Sequence, residues 1–173
     1  DADLAQATRE VLLGALLTTG QRCTATSRVI VTRGVAEALK RSLTEAFAKV
    51  RPSDPTSPDC LMGPLAHKGA KERFLKLLAQ ARAEGARPLV ESQDLQGAFV
   101  TPSLYEVKGD EAYLEEELFG PHVALQVVET EQEAFEAASR NAYGLSASVF
   151  SAREEALEAL YDLVPTGVIN WNR

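Results

Sequence analysis

The chain has 173 residues, a net charge of −7 and a sequence pI of about 4.9, and 45% of its residues are hydrophobic. This length and apolar content suit one globular domain with a substantial core. The acidic balance argues against nucleic acid or an anionic membrane surface as partners, because both would repel the chain. No apolar run reaches the roughly 18 residues that span a bilayer, and no secretory leader pattern opens the sequence. We therefore expect a cytoplasmic protein that binds a small molecule or another protein.

The first half of the chain predicts helices separated by one strand and one long loop. The predicted helices, each with apolar residues at a period near 3.6, cover residues 3–18, 36–50 and 67–84. Gly20 ends the first of them, which places Cys23 just past a helix C-terminus. The β-branched run at residues 28–32 predicts a strand. Four prolines between Arg51 and Leu65 predict a turn-rich loop.

The second half predicts mainly strands joined by short helices. The predicted strands cover residues 87–91, 99–106, 122–129, 147–150 and 167–171. Two capping boxes, Thr130 with Glu133 and Ser151 with Glu154, predict the starts of two helices. The alternation of strands and helices favours an α/β fold with a mostly parallel sheet flanked by helices.

The two cysteines differ in their surroundings. Cys23 and Cys60 are too few for a disulfide scaffold and lack zinc-ligand spacing, so we expect a reducing compartment and no metal site. Cys60 lies in the proline-rich loop and is interpreted as an ordinary loop residue. Cysteine is the most nucleophilic side chain at neutral pH, and a turn after a helix would expose the Cys23 thiol to a substrate.

Three short motifs occur in order along the chain. They are GQRC at Gly20–Cys23, EELFGP at Glu116–Pro121 and NAYGL at Asn141–Leu145. The segment DPTSPDCLMGPL, residues 54–65, is similar to a fourth. In this order they resemble signatures of the aldehyde dehydrogenase superfamily. The resemblance covers residues 1–173 and implies the cysteine-bearing catalytic domain of such an enzyme.

The resemblance implies an activity and roles for three residues. It implies oxidation of an aldehyde by NAD or NADP, with Cys23 as the nucleophile and its backbone N–H as an oxyanion donor. Glu117 would accept hydrogen bonds from the nicotinamide ribose, and Phe119 would pack beside the ring. The superfamily's nucleotide-binding part, general-base glutamate and oligomerisation strand are not found in residues 1–173. The full-length enzyme is then expected to form a homo-oligomer, and this piece alone to be inactive and to bind neither dinucleotide well.

Other residues of the motifs have structural interpretations. Gly120 and Pro121 are expected to shape a turn, and Asn141 and Gly144 to mark the passage from helix to strand. Glu10 precedes Cys23 without matching the base motif and is interpreted as a solvated helix acid.

The sequence also allows two alternatives to a dehydrogenase. In the first, the chain is a non-enzymatic relative or interaction module in which Cys23 is a packing residue, as free cysteines often are. In the second, Cys23 pairs with His67 or His122 in a Cys–His acyl hydrolase. The second requires a histidine within hydrogen-bond reach of the thiol.

The motifs also bear on the substrate. The ending TGVINWNR and the run GQRCT are similar to succinylglutamate-semialdehyde dehydrogenases of arginine catabolism, which is the leading branch. Ala25–Thr26–Ser27 fits other branches better, including those that act on ketoglutarate semialdehyde. A carboxylate-bearing semialdehyde needs local cationic groups in an acidic protein. The candidates are Arg22, Arg28 and Arg173.

Overall fold

A computed structural model describes the whole chain, residues 1–173. The helices are α1 (Leu4–Leu16), α2 (Arg33–Lys49), α3 (Lys68–Ala83), α4 (Glu131–Ser139) and α5 (Glu154–Leu163). The strands are β1 (Arg28–Thr32), β2 (Arg87–Val90), β3 (Ser103–Val107), β4 (His122–Val128), β5 (Ser146–Val149) and β6 (Val168–Trp171). Short 3₁₀ turns cover Leu17–Gly20 and Ala112–Glu115. No helix combines the length and the apolar character needed to cross a membrane.

The strands form one four-stranded sheet and one two-stranded sheet. The larger has the order β1-β4-β3-β2, with β4 parallel to both β1 and β3 and β2 antiparallel to β3. Strands β5 and β6 pair with each other in parallel. The predicted α/β fold with a mostly parallel sheet is confirmed, and its strands are divided between two sheets.

Helices cover both faces of the larger sheet because side chains alternate along its strands. Leu104, Val123 and Leu125 face one way and pack with α1 and α2 residues such as Leu43 and Phe47. Tyr105 and Ala124 face the other way, toward Phe74 and Leu78 of α3. The core is therefore layered helix, sheet, helix.

The topology brings two distant motifs to one edge of this sheet. Cys23 precedes β1, and the EELFGP motif precedes β4, the parallel neighbour of β1. The connection between the parallel strands β3 and β4 returns the chain across the sheet, as parallel pairing requires. Residues before β1 and before β4 therefore meet at the amino-terminal edge of the sheet.

Two sequence predictions are corrected in detail. The strand predicted at residues 99–106 begins only at Ser103, because Pro102 has no N–H to donate to a ladder and Val100 forms only an isolated bridge with Asp94. The predicted cap Ser151 does not begin a helix, since α5 starts after Arg153. The Ser151 hydroxyl instead accepts the Arg153 N–H at 3.1 Å and lies 3.1 Å from the Asp1 carboxylate.

The other predicted cap, Thr130, does begin a helix. The Thr130 hydroxyl accepts the Glu133 N–H at 3.1 Å, and the Glu133 carboxylate accepts the Glu129 N–H at 2.9 Å. Helix α4 therefore begins where the sequence predicts.

Candidate active site

A cleft of about 390 Å³ at the amino-terminal edge of the larger sheet is lined by residues of all three motifs. Its walls come from residues between 20 and 28, between 113 and 124, and between 141 and 146. The cleft contains Cys23, Glu117 and Phe119, the three predicted site residues. Three segments that are separate in sequence thus surround one exposed thiol.

The turn before Cys23 has an unusual backbone. Thr18, Thr19 and Gly20 have φ angles of 60°, 59° and 65°, in the left-handed region. Two β-branched residues are rarely found there, and each costs about 1–3 kcal/mol unless its surroundings hold it. Gly20 is required for a second reason, because a Cβ on it would lie 2.2 Å from the Gly120 carbonyl oxygen. The GQRC turn therefore packs directly on the EELFGP loop.

Cys23 itself lies exposed in a turn. The turn is tied by the Ala25 N–H, which donates to the Arg22 carbonyl at 3.0 Å, and by the Thr26 N–H, which donates to the Gly14 carbonyl at 3.1 Å. The backbone N–H of Cys23 donates no hydrogen bond within the chain. An exposed thiol beside a free N–H can attack a carbonyl and hold the resulting oxyanion, whereas a packing cysteine would be buried.

The EELFGP loop presents an acid and an aromatic ring to the cleft. The Glu117 carboxylate is exposed and makes no ion pair or hydrogen bond within the chain. Phe119 is 42% exposed. Arg73 of α3 fixes the loop from below, donating to the Glu117 carbonyl at 2.6 Å and pairing with Glu116 at 3.4 Å. Gly120 allows the close packing, since a Cβ there would lie 2.3 Å from the Phe74 ring.

These groups fit the nicotinamide end of a dinucleotide. A free carboxylate can accept hydrogen bonds from ribose hydroxyls, and an exposed aromatic ring can pack against the cofactor's ring.

The third wall of the cleft comes from the NAYGL motif. The Asn141 side chain accepts the Tyr143 N–H at 3.2 Å and so shapes the turn after α4. Gly144 packs on Pro165, whose carbonyl oxygen would lie 2.3 Å from a Cβ. Both residues have the structural positions predicted from the sequence.

Neither histidine is bonded to Cys23. His67 caps α3, its Nδ1 accepting the Ala70 N–H at 3.1 Å. His122 is buried at the cleft floor, with Nδ1 2.9 Å from the Ser103 hydroxyl and Nε2 3.3 Å from the Tyr113 hydroxyl. Because both ring nitrogens of His122 have other partners, a Cys–His acyl hydrolase is not supported.

Burial of His122 predicts a loss of stability in acid. Burial lowers the pKa of His122 to about 3 from its usual 6.5. Between these values the unfolded chain binds a proton that the folded chain does not, so stability falls as the pH falls from 6.5 toward 3. The expected contribution is about 1.4 kcal/mol per pH unit, fully present above the unfolded pKa.

Urea unfolding of the wild type and of His122→Asn, between about pH 7 and pH 4, measures this contribution as a difference in slope. His67→Asn is the matched control, since asparagine also caps helices, and it should keep the wild-type slope. Equal slopes for wild type and His122→Asn would contradict a neutral buried imidazole.

Two of the three candidate arginines lie in the cleft. Arg22 is exposed beside Cys23, and Arg28 lies half-buried at the cleft floor. Burial lowers the pKa of Arg28, partly opposed by Glu115, and its one hydrogen bond goes to the Ala137 carbonyl at 3.4 Å. Arg173, at the chain end, is exposed and does not line the cleft. Cys60 is half-buried outside the cleft, with its thiol 3.6 Å from the Ser53 carbonyl.

Sequence patterns alone do not indicate a role for two polar residues of the turn, Thr19 and Gln21. The Thr19 hydroxyl and the Gln21 amide bond to the backbone of residues 63–66, at the end of the proline-rich loop. The only sequence signal was their place inside or beside a motif, because their partners lie more than 40 positions away.

The chain is similar in sequence to known aldehyde dehydrogenases. The profile of the aldehyde dehydrogenase family matches residues 1–173. The alpha-ketoglutaric semialdehyde dehydrogenase of Bacillus subtilis is 34% identical over 179 residues, which cover 99% of this chain and 37% of that protein. The N-succinylglutamate 5-semialdehyde dehydrogenase of Vibrio cholerae is 32% identical over 173 residues, 99% of this chain and 36% of that protein.

The chain is also similar in fold to a solved aldehyde dehydrogenase structure. Betaine aldehyde dehydrogenase from Staphylococcus aureus, in complex with NAD⁺, superposes with a TM-score of 0.94 at 28% identity, covering 99% of this chain and 35% of that one. The chain thus spans little more than a third of the length of these proteins. From its motifs, its fold and these similarities, the chain belongs to the aldehyde dehydrogenase family.

Proposed function

We propose that the protein carrying this chain oxidises an aldehyde to the carboxylic acid with NAD or NADP, using Cys23 as a covalent nucleophile. The observation that carries this proposal is the convergence of three motif segments on one cleft around an exposed thiol. The non-enzymatic alternative is disfavoured, because Cys23 is exposed in a turn and packs no core.

The residues of the cleft support each step up to the acyl enzyme. The Cys23 sulfur adds to the aldehyde carbon, and the carbonyl oxygen becomes an alkoxide near the free Cys23 N–H. When bound, the nicotinamide supplies the acceptor for the hydride that leaves this adduct. The product on Cys23 is a thioester, which water must hydrolyse to release the acid.

The acids that line the cleft are poorly placed as bases for this water. Glu116 is paired with Arg73, and Glu117 is assigned to the cofactor. Glu10 lies on α1 in an ion pair with Arg9 and does not line the cleft. We therefore place the general base and the nucleotide-binding domain in another part of the protein, with residues 1–173 as its catalytic domain. Residues 1–173 alone should show no dehydrogenase turnover.

For the substrate we propose a semialdehyde that carries a carboxylate, with succinylglutamate semialdehyde as the leading candidate. Arg22 and Arg28 give the cleft two guanidinium groups in a protein of net charge −7. Neither forms an ion pair within the chain, so both are free to attract a substrate carboxylate. The ending that resembles the succinylglutamate branch supports the choice among such semialdehydes.

The substrate proposal is tested by comparing a carboxylated semialdehyde with a neutral aldehyde of similar size. Arg22→Met should raise KM for the carboxylated substrate by about tenfold and change the neutral one by less than about twofold. Arg173→Met, outside the cleft, should leave both unchanged. An equal effect of Arg22→Met on the two substrates would refute a carboxylate contact.

The cofactor side of the site is tested at Glu117. Glu117→Gln should lower dehydrogenase turnover by about 10- to 100-fold while esterase turnover, which needs only Cys23 acylation and hydrolysis, falls much less. Glu116→Gln is the matched control and should change neither activity more than about twofold. Parallel losses of both activities in Glu117→Gln would mean that Glu117 is structural.

We also propose that the protein forms a homo-oligomer. Helix α5 and strand β6 expose Tyr161, Leu163 and Val168, which are 75%, 45% and 50% exposed. Large apolar side chains that stay exposed are typical of contacts with another domain or subunit.

A further inference from the structure

We propose that Gln21 is a positioning residue that holds the Cys23 turn in place by clamping it to the segment Gly63–Ala66. This inference rests on the proposed function, because Gln21 would position the same nucleophile, Cys23.

The clamp is formed by both ends of the Gln21 amide. Its Oε1 accepts the Ala66 N–H at 2.7 Å, and its Nε2 lies 3.3 Å from both the Pro64 and the Thr18 carbonyls. The Thr19 hydroxyl adds a bond of 3.1 Å to the Gly63 carbonyl. The segment itself is anchored, since the Leu65 N–H donates to the Ala98 carbonyl at 2.9 Å and Leu65 is buried. The turn is thus fastened to a fixed part of the core.

The clamp accounts for the strained backbone beside it. Left-handed threonines persist only where the surroundings fix them, and strain of this kind is often found at functional sites. Here the flanking contacts come from Thr19 and Gln21 on one side and from the close packing of Gly20 on Gly120 below. Without the Gln21 amide, only the Thr19 hydroxyl bond and the packing of Gly20 on Gly120 would hold Thr18 and Thr19 in the left-handed region, and we infer that the residues that follow would shift.

The shift would matter most for the Cys23 N–H. A single residue, Arg22, lies between Gln21 and Cys23, and the next ties of the turn are the Ala25 to Arg22 bond and the Thr26 to Gly14 bond. The direction of the free N–H relative to the thiol is therefore set by the Gln21 clamp on one side and by these two bonds on the other. A donor displaced by a fraction of an ångström loses much of its effect on a developing oxyanion.

Two reactions of Cys23 distinguish an effect on the position of its backbone N–H from an effect on the reactivity of its thiol. With p-nitrophenyl acetate, the sulfur bonds to the carbonyl carbon, the thiol proton passes to buffer, and nitrophenolate leaves with the electron pair of the broken C–O bond. This acylation passes through an oxyanion that the N–H can hold. With iodoacetamide, the sulfur displaces iodide in one step, and no oxyanion forms.

The variant Gln21→Met keeps the side-chain volume and removes both polar ends. We expect it to lower the rate of Cys23 acylation by roughly tenfold and to change Cys23 alkylation by less than about twofold, as read by mass mapping of the purified protein. Gln21→Glu keeps the acceptor for the Ala66 N–H, so its acylation rate should lie between those of Gln21→Met and the wild type. The control Gln132→Met, on α4, should acylate at the wild-type rate. Equal changes in acylation and alkylation, or none, would overturn the positioning role.

Amide hydrogen exchange reads the clamp without chemistry at Cys23. Exchange at Ala66 should speed up by about tenfold in Gln21→Met and stay unchanged in Gln132→Met, with the melting temperature measured alongside to detect global unfolding. Unchanged exchange at Ala66 would overturn the clamp. A wild-type protein that forms no acyl adduct on Cys23 would instead refute the proposed function, and the exchange result would still decide whether Gln21 fastens the turn.

Discussion

Replacing Cys23 with alanine should reduce both aldehyde oxidation and p-nitrophenyl acetate acylation by at least about 1,000-fold in the protein that carries this chain. The loss is expected to be this large because the thiol forms the covalent bond on which every later step depends. Stability should change little, since Cys23 is exposed and packs no core. Steady-state rates test the loss of aldehyde oxidation, a mass shift for the acyl adduct tests the loss of acylation, and a thermal melt tests the unchanged stability.

Cys60→Ala is the matched control for this variant. Cys60 is half-buried outside the cleft, and its thiol lies within hydrogen-bond distance of the Ser53 carbonyl. We expect its removal to leave turnover within about twofold of the wild type, and a stoichiometric thiol reagent to modify Cys23 well before Cys60. Residual acylation in Cys23→Ala that disappears with Cys60→Ala would move the nucleophile to the proline-rich loop.

The helices were the most predictable part of the fold. Their apolar spacing places α2 and α3 within a few residues of the observed bounds, because each buries one continuous face against the sheet. The first helix ends at Leu16, short of the predicted residue 18, where the left-handed turn begins. Nothing in the composition of Thr18 and Thr19 predicts that turn, since β-branched residues disfavour it and only tertiary contacts impose it.

Some residues of the candidate site could be predicted from the sequence, and others could not. Cys23, Glu117 and Phe119 were identified from local motifs, and the structure brings all three to one cleft. Their convergence follows from the parallel pairing of β1 and β4, which the alternation of elements only implies. Gln21 was not singled out because the role of an amide is decided by its partners. Those partners, Pro64 and Ala66, are fixed by the packing of a loop that the sequence leaves open.

The buried network of His122 shows why the two histidines could not be told apart from sequence. Each lies at the start of a regular element, yet His67 is an exposed cap of α3, whereas the His122 side chain lies between Ser103 and Tyr113 with its ring edge-on to Tyr105. Burial in an apolar layer keeps the His122 imidazole neutral, and its two hydrogen bonds satisfy both ring nitrogens. These bonds tie the start of β4, directly after the EELFGP loop, to Ser103 and Tyr113.

Gly20→Ala should strongly lower the stability of the folded chain. The added Cβ would meet the Gly120 carbonyl oxygen at 2.2 Å and the Ala15 carbonyl oxygen at 3.0 Å, while the φ of +65° is itself unfavourable for alanine. Neither contact ends in a flexible side chain, so backbone must move to relieve them. We expect a loss of about 2–4 kcal/mol in the free energy of unfolding, or roughly 5–15 °C in melting temperature for a chain of this size.

The same substitution should also disturb the chemistry, because the GQRC turn and the EELFGP loop meet at these two glycines. Where Gly20→Ala still folds, Cys23 acylation should fall by at least about tenfold. Gly34→Ala provides the control: Gly34 lies in α2 with no atom within 4 Å of its added Cβ, and alanine is the better helix former there. That variant should melt at or slightly above the wild-type temperature with unchanged acylation. A Gly20→Ala protein with wild-type stability and acylation would mean that the two loops are not in contact as the structure describes.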